Sequence, residues 1–334
     1  MLRRRRTITA AVIAFAVTAG GVGVTHAAFS STTSNPTNGV TARPDWLGPT
    51  VGVTTIAKTT GYIAGYVKRS GTYRLYADVN EPASNPAAGV ASVVANPSAF
   101  TAAQTSVALT STGGPWSVEG VSYNYRSGSL TADAGLAAGA KTWSLVATDA
   151  ASPSANTTTA SSLTGTVDIT VPTATGIAAA NKAGGTQSKP EIGDTLTFTY
   201  SEQIDPESVL TGWTGTSTNV TVQILDGGGG ANDILTVWNS ANSSLLPLGS
   251  INLGRKDYFS GNTTFGAPAA ATRSTMTQSG STITITLGTL GAATAATGAA
   301  SANMVWTPTA TPYDRAGLAL STTPFTESDN DRDF

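Results

Sequence analysis

Residues 281–287 read STITITL, and this stretch decides the fold class. Ile283, Ile285 and Leu287 alternate with threonines, so one face of the segment is apolar and the other is polar. Alternation with a period of two indicates a half-buried β-strand, because successive side chains of a strand point to opposite faces. Threonine and isoleucine are also β-branched, which favours strands. The segment therefore predicts a strand whose isoleucines lie in a core.

The same alternation recurs along the chain, between clusters of Gly, Pro, Asn and Ser. No long segment has the 3.6-residue apolar period of an amphipathic helix. Strands are predicted at residues 72–79, 89–94, 106–109, 117–125, 141–148, 163–170, 194–200, 220–225, 234–238 and 281–287. We predict an all-β protein of two tandem immunoglobulin-like β-sandwich domains, since about seven short strands in the first half is the count of such a sandwich.

Pro172 marks the expected boundary between the two domains, because proline cannot donate a hydrogen bond to a strand ladder. The predicted divisions are a signal peptide at 1–27, a linker at 28–44, a first sandwich at 45–171, a second at 172–326 and an acidic tail at 327–334. Residues 226–230, DGGGG, predict a hairpin loop. The alanine-rich residues 292–302 are compatible with either a short helix or a loop.

The N-terminus has the three parts of a secretory signal peptide. Arg3 to Arg6 precede an apolar run over residues 10–24, and small residues surround the predicted cleavage between Ala27 and Ala28. A membrane-spanning helix needs about 20 apolar residues, and this run is shorter. We expect a secreted protein, extracellular or associated with the cell surface, with no membrane attachment after the leader is removed. An uncleaved membrane anchor is the alternative interpretation.

Composition excludes several kinds of chemistry. The chain has no cysteine, and its one histidine, His26, lies in the predicted leader. Residues 28–334 therefore lack the Cys and His ligands of zinc sites, the histidine of Ser-His-Asp catalysis and both side chains of Cys-His catalysis. Removing the four leader arginines from 18 basic residues leaves 14 against 20 acidic ones, a net charge near −6. We expect no nucleic-acid partner, because such binding needs a dense basic surface, no enzyme activity and no cofactor, with calcium as the one open case.

Two segments resemble bacterial surface proteins. Residues 28–35, AFSSTTSN, followed by NGVTA at 38–42, resemble the start of camelysin-type leaders, which occur on biofilm-matrix fibre proteins, although Pro36 departs from that pattern. Residues 193–206, GDTLTFTYSEQIDP, resemble the opening of bacterial Ig-like surface modules. DRAG at 314–317 resembles their close, with Leu318 where asparagine is expected, and ATDAA at 147–151 is similar. The resemblance implies spacers, adhesive stalks or binding domains on a bacterial, Gram-positive surface.

Glu202, Asp205 and Glu207 crowd one turn after a predicted strand. Their carboxylate oxygens are candidate calcium ligands that would stiffen the domain junction. The alternative interpretation is a helix cap, in which Asp205 accepts free amide hydrogens and Pro206 takes the first helical position.

Three other groups of residues are weaker site candidates. Asp329, Asp331 and Asp333 alternate as in part of a calcium loop, but Arg332 lies among them and no loop glycine follows, so a solvated acidic tail is favoured. Paired carboxylates could serve glycoside hydrolysis, and aromatic rings could stack on sugars or fill the core. The available carboxylates are Glu119, Glu202 and Asp233, and the aromatic candidates are Trp116, Tyr123, Tyr125, Trp213, Trp238 and Tyr258.

These observations favour a structural or adhesive protein of a cell surface or extracellular matrix, built of Ig-like modules. The alternative is a released carbohydrate- or protein-binding module, and a polysaccharide hydrolase is a more remote one. A surface polysaccharide or another surface protein is the expected kind of partner, while the oligomeric state is not specified by the sequence.

Overall fold

A computed structural model describes residues 45–334 except 84–86, 229, 257 and 296–299. The predicted leader, the cleavage between Ala27 and Ala28 and the linker lie outside the described residues. The described chain is almost entirely β, and its strands form two large sheets, each the framework of a sandwich- or barrel-like domain. The prediction of an all-β fold with two domains is therefore confirmed. No helix in the described ranges has the length and apolarity needed to cross a membrane.

The described part of the first domain contains eleven strand segments. They are β1 Thr50–Lys58, β2 Tyr66–Lys68, β3 Thr72–Asn80, β4 Val90–Asn96, β5 Val107–Thr110, β6 Trp116–Val118, β7 Val121–Tyr123, β8 Tyr125–Ser127, β9 Leu130–Thr131, β10 Gly139–Asp149 and β11 Thr157–Asp168. The main sheet has the order β1-β3-β8-β5-β4-β10-β11-β2, with β9 beside β3, and β6 and β7 form a separate hairpin. β2 pairs parallel with the end of β11, which places Asp168 beside Lys68 at the edge facing the second domain.

Ten strands and one helical turn lie in the described residues of the second domain. They are β12 Ala174–Ala180, β13 Thr195–Tyr200, α1 Pro206–Val209, β14 Thr218–Leu225, β15 Ile234–Asn239, β16 Leu245–Asn252, β17 Thr263–Phe265, β18 Ser274–Ser279, β19 Thr282–Thr286, β20 Val305–Thr307 and β21 Phe325–Thr326. The sheet order is β12-β13-β19-β18-β14-β15-β16-β20-β21, with β17 beside β14. The chain passes from the first sheet to the second between Asp168 and Ala174.

The alternating faces are buried as the sequence predicts. The inward-facing residues of β3, β10, β13 and β19 all lie in the two cores, and the polar residues between them face outward. These positions are Tyr73, Leu75, Ala77 and Val79, then Trp143, Leu145 and Ala147, then Leu196, Phe198 and Tyr200, then Ile283 and Ile285. In the second core Trp306 meets Phe198 and Tyr200 edge to face, with ring centroids 5.1 Å apart in both cases. Edge-to-face contact is the favoured geometry of aromatic pairs, so these rings anchor the core.

The single strand predicted at residues 117–125 is wrong. Those residues form the hairpin β6–β7, which turns at Glu119 and Gly120, and β8 begins only at Tyr125. Both turn residues have positive φ, 51° and 77°, as a two-residue hairpin turn of type I′ requires. Glutamate is rare at positive φ, so Glu119-Gly120 lacks the Asn-Gly or Asp-Gly pair by which such a turn is recognised in a sequence.

The C-terminal segment is not a solvated acidic tail throughout. Asp333 and Phe334 are buried, Phe334 lies edge to face on Tyr258, and its carbonyl accepts a hydrogen bond from the Ser188 amide at 2.6 Å. Only the residues before them, including Asp329 and Asp331, are exposed. Burial of the Phe334 ring against Tyr258 favours docking of this segment.

The described part of the alanine-rich stretch is not helical. Ala295 instead forms an antiparallel bridge with Phe259, and residues 300–302 follow an irregular path to a second bridge at Ala302. Bridges to distant segments satisfy backbone groups that a helix would have satisfied locally.

Candidate functional site at the domain junction

Loops from both domains meet where β11 passes into β12. The first domain contributes the end of β1, the turn after it and β2. The second domain contributes the turn after β13 that leads into α1, together with residues 313–317 after β20. Polar and charged side chains dominate the contacts between them, and their geometry makes this junction the candidate functional site.

Lys58 and Asp205 form a buried ion pair across the junction. The Lys58 Nζ lies 2.5 Å from the Asp205 Oδ2, and the two side chains are 7% and 0% exposed. Lys58 also donates to the carbonyl oxygens of Ile63 and Arg315, each at 2.8 Å. Burial lowers the pKa of Lys58, and the Asp205 carboxylate opposes that shift. A buried charge pair is stable only when further hydrogen bonds complete it, and here they tie the two domains together.

Asp205 is also the N-cap of α1. Its carboxylate accepts the Glu207 amide at 3.0 Å, and Pro206 occupies the first turn. The amides of Tyr62 and Ile63, from the first domain, donate to the same carboxylate at 2.9 to 3.0 Å. The interpretation of Asp205 as a helix cap is therefore confirmed, and the same carboxylate also binds backbone amides of the first domain.

Gly61 permits this close approach. A β-carbon at residue 61 would lie 2.6 Å from the Asp205 Oδ2 and 2.5 Å from the Lys58 Cε, and the backbone φ of Gly61 is +104°. Any side chain would therefore meet both the ion pair and a conformation that L-residues rarely adopt.

Arg315 bridges the domains on the other side of the junction. Its guanidinium stacks on the Tyr66 ring, 4.2 Å from the centroid, and its Nε and Nη2 both lie 3.4 Å from the Asp168 Oδ2. Its Nη2 is 3.9 Å from the Glu202 Oε2. Lys68 of the first domain donates to the carbonyl of Gly317. Arginine suits this place because its planar group can stack and pair at once.

Three carboxylates converge beside Arg315. Asp168, Glu202 and Asp314 each offer an oxygen, and these oxygens lie within 4.8 Å of one another. Asp168 ends β11, Glu202 follows β13, and Asp314 lies in the loop after β20. Asp168 is 8% exposed and Asp314 is fully buried. We call these three residues the junction triad.

The negative charges of the junction triad repel one another. Burial raises the pKa of Glu202 to about 7, and the charges of Asp168 and Asp314 add to that effect. Burial also raises the pKa of Asp314, although the amides of Leu318 and Ala316 act in the opposite direction. Carboxyl groups with raised pKa values, as Glu202 and Asp314 have, can take up a proton or a cation in a polar junction.

The structure separates the three predicted calcium ligands. Glu202 lies in the junction triad, Asp205 belongs to the ion pair and cap, and the Glu207 Oε2 accepts the Gly212 amide at 2.9 Å. Sequence reasoning did not select Asp168 or Asp314 as ligands. The one signal that pointed to Asp314 was its place in DRAG, and Asp168 carried none.

The remaining predicted site residues have local roles. The Glu119 Oε2 accepts the Ala64 amide at 3.2 Å, and Asp233 is fully buried and accepts the Gly227 amide at 3.2 Å. Among the aromatic candidates Tyr123, Trp213 and Tyr258 are buried, whereas the partly exposed ones are Trp116, Tyr125 and Trp238.

Trp238 lines an open cleft on the second sheet. The cleft has a volume of about 530 Å³, and its lining includes Gln223, Thr236 and Thr264 from neighbouring strands. The Trp238 Nε1 donates to the Thr236 hydroxyl at 3.0 Å, which fixes the ring on the outer face. An indole beside amide and hydroxyl groups offers one stacking surface and several hydrogen-bonding groups.

The fold and the junction define an all-β protein of two sandwich- or barrel-like domains joined by charged and polar contacts. No protein-family model matches the chain, and a search of curated proteins finds no significant match.

Proposed function

We propose that this protein is a secreted structural or adhesive protein of a bacterial, Gram-positive surface or extracellular matrix, built of two Ig-like modules. The observation that carries the proposal is the buried pair of Lys58 and Asp205, which joins the modules through groups from both. A spacer or stalk must transmit orientation from one module to the next, and a junction whose buried ion pair is completed by hydrogen bonds resists bending. The stacking of Arg315 on the Tyr66 ring and its ion pair with Asp168 support the same role.

The sequence adds two independent supports. The N-terminal residues have the features of an export leader, and GDTLTFTYSE with DRAG resembles bacterial Ig-like surface modules. The low charge content and the absence of His and Cys after residue 27 fit a protein that holds shape without catalytic chemistry. We therefore propose that the protein has no enzyme activity and that its partner is a surface polysaccharide or another surface protein.

Fractionation of the producing culture tests this role. We expect processed protein, with Ala28 as its first residue, on the cells or in the extracellular matrix. Processed protein found only free in the medium would instead favour a released binding module. A chain that begins at Met1 and stays inside the cells would contradict export altogether.

The Trp238 cleft favours one second candidate, a carbohydrate-binding module. Glycan screening of the purified mature chain tests it, with Trp238→Ala as the variant and Trp116→Ala as the matched control on a different surface. Binding that is lost in the first variant and kept in the second would support the alternative. An absence of binding to any glycan would remove it.

A further inference from the structure

We propose that the junction triad of Asp168, Glu202 and Asp314 is a binding site for a divalent cation, and that calcium is the ion it fits. All the donors are carboxylate oxygens, which hard cations prefer, and their spacing allows one ion to reach all three. The site would act on the junction itself, since Asp168 belongs to the first domain and Glu202 and Asp314 to the second. Ion binding there does not depend on the protein's surface role.

Asp314 provides the strongest indication of a missing ligand. Its Oδ1 accepts the amides of Ala316 and Leu318, both at 2.8 Å, so the carboxylate is held in place. Its Oδ2 is buried and has no hydrogen-bond partner among the described residues, in a side chain that is 0% exposed. A buried, unpaired carboxylate oxygen is costly, and a bound cation would compensate it.

The other two residues leave the charge of the triad incompletely balanced. The Glu202 Oε1 is buried and likewise has no partner in the described structure. Arg315 approaches Asp168 at 3.4 Å and Glu202 at 3.9 Å, which is longer than the roughly 2.7–2.9 Å of a strong charged hydrogen bond. Of the two nearby ammonium groups, Lys58 is paired with Asp205 and Lys68 donates to the Gly317 carbonyl. Among the described residues, Arg315 is the cation that pairs with the triad, and it faces three carboxylates.

The first domain repeats the same arrangement. Asp45, Glu81 and Asp149 also bring carboxylate oxygens within 4.8 Å of one another, and both Glu81 oxygens are buried without a partner in the described chain. Glu81 follows the end of β3 as Glu202 follows β13, and it lies nearly as far along the chain from Asp45 as Glu202 does from Asp168.

Backbone contacts extend the repeat. Asp45 and Asp168 each accept the amide two residues ahead, from Leu47 and Thr170, both at 3.1 Å. Asp149 accepts the Ala151 amide at 3.1 Å in the way that Asp314 accepts the Ala316 amide. Each domain builds an acidic triad of this kind from corresponding loops. The repetition indicates that the triad is a feature of the module and not a chance cluster of exposed acids.

Calorimetric titration of the chelator-treated mature chain with calcium chloride tests the proposal. We expect saturable binding, together with a rise in melting temperature on adding calcium that excess chelator reverses, because a ligand bound only to the native state stabilises it. Glu202→Gln should remove one ion per chain or weaken its binding at least about tenfold, a loss that even outer-shell mutations produce at metal sites. Glu81→Gln is the matched control and should keep that ion.

Two results would overturn the proposal. One is the absence of calcium binding to the wild-type chain at millimolar concentration, and the other is a Glu202→Gln variant that binds calcium with unchanged affinity and stoichiometry. Near-ultraviolet circular dichroism without calcium checks that the variant is folded. If it is not, Asp168→Asn serves as the second variant with the same expected loss.

Discussion

At the scale of single residues, Lys58 is the clearest determinant of stability at the junction. Lys58→Met would leave the Asp205 carboxylate buried without its cation and remove two hydrogen bonds to backbone carbonyls. Breaking one side of a buried pair costs about 3–5 kcal/mol. We expect the free energy of unfolding, measured by urea denaturation, to fall by about that amount.

Lys189→Met provides the control for this prediction. Lys189 also pairs with a carboxylate, Glu191, at 3.1 Å, but its side chain is 35% exposed. Solvent screens exposed pairs and leaves them little net effect on stability, so this variant should differ little from wild type. Equal losses in the two variants would show that burial does not set the strength of the Lys58 pair.

Asp333 predicts a pH dependence of stability. Burial, then the charge of Glu327, raises the pKa of Asp333 to about 7, and the Tyr258 hydroxyl donates to its carboxylate at 3.2 Å. Because the native pKa lies above the ordinary value of 3.8, folding takes up a proton between these two pH values, so stability falls as pH rises from about 4 to about 7 and levels off above that. Asp333→Asn cannot ionise, so its melting temperature should rise relative to that of wild type between pH 4 and pH 7, and the difference should stay constant above pH 7.

The control for the pH prediction is Asp329→Asn, a change of the same kind at an exposed position. Melting curves of the three proteins between pH 4 and pH 9 give the comparison. Parallel pH profiles for wild type and Asp333→Asn would contradict the prediction.

At the scale of elements, β11 depends on a glycine for its packing. A β-carbon on Gly165 would lie 2.4 Å from the Ile56 Cγ2 and 2.9 Å from the Phe100 Cζ, and both of these side chains are fully buried. The φ of Gly165 is open to any residue, so steric overlap alone decides the outcome. Gly165→Ala should destabilise the protein by about 1–3 kcal/mol in urea denaturation, the cost of overpacking a core.

Gly135→Ala tests whether the effect comes from packing rather than from the loss of a glycine. No atom lies within 4 Å of the β-carbon at residue 135, and its φ is also unrestricted. This variant should be neutral or slightly more stable, because alanine reduces the entropy of the unfolded chain. A similar loss at both positions would contradict the packing explanation.

At the scale of the whole molecule, the charged junction predicts that the two domains hold one relative orientation. The chain has no cysteine, so spin labels attach only to introduced cysteines. The substitutions Ala103→Cys and Ala241→Cys place one label on an exposed site of each domain. Pulsed electron spin resonance should give one narrow distance distribution. Arg315→Ala should broaden it, because the contacts with Tyr66 and Asp168 are lost.

A broad distribution in the labelled wild-type chain would contradict a stiff junction, and with it the main support for a stalk or spacer. Lys189→Met, which lies outside the junction contacts, should leave the distribution unchanged and serves as the control here as well.

The sequence alone determined the most regularly alternating strands, β3, β10, β13 and β19, and the direction in which their side chains point. Alternation with a period of two is a local property, so the buried faces of β3, β10, β13 and β19 could be predicted before any pairing was known. The cap at Asp205 and Pro206 was predictable for the same reason, since capping involves only neighbouring residues.

Only the tertiary structure decided the composition of the site. Asp168, Glu202 and Asp314 are far apart in the chain. They meet because the chain crosses to the second domain just after Asp168 and because Asp314 forms a β-bridge with Ile204, two residues after Glu202. Strand pairing, the burial of Phe334 and the raised pKa of Glu202 all depend on which surfaces pack together and exclude water. That exclusion depends on contacts between distant segments, and no local pattern of residues records it.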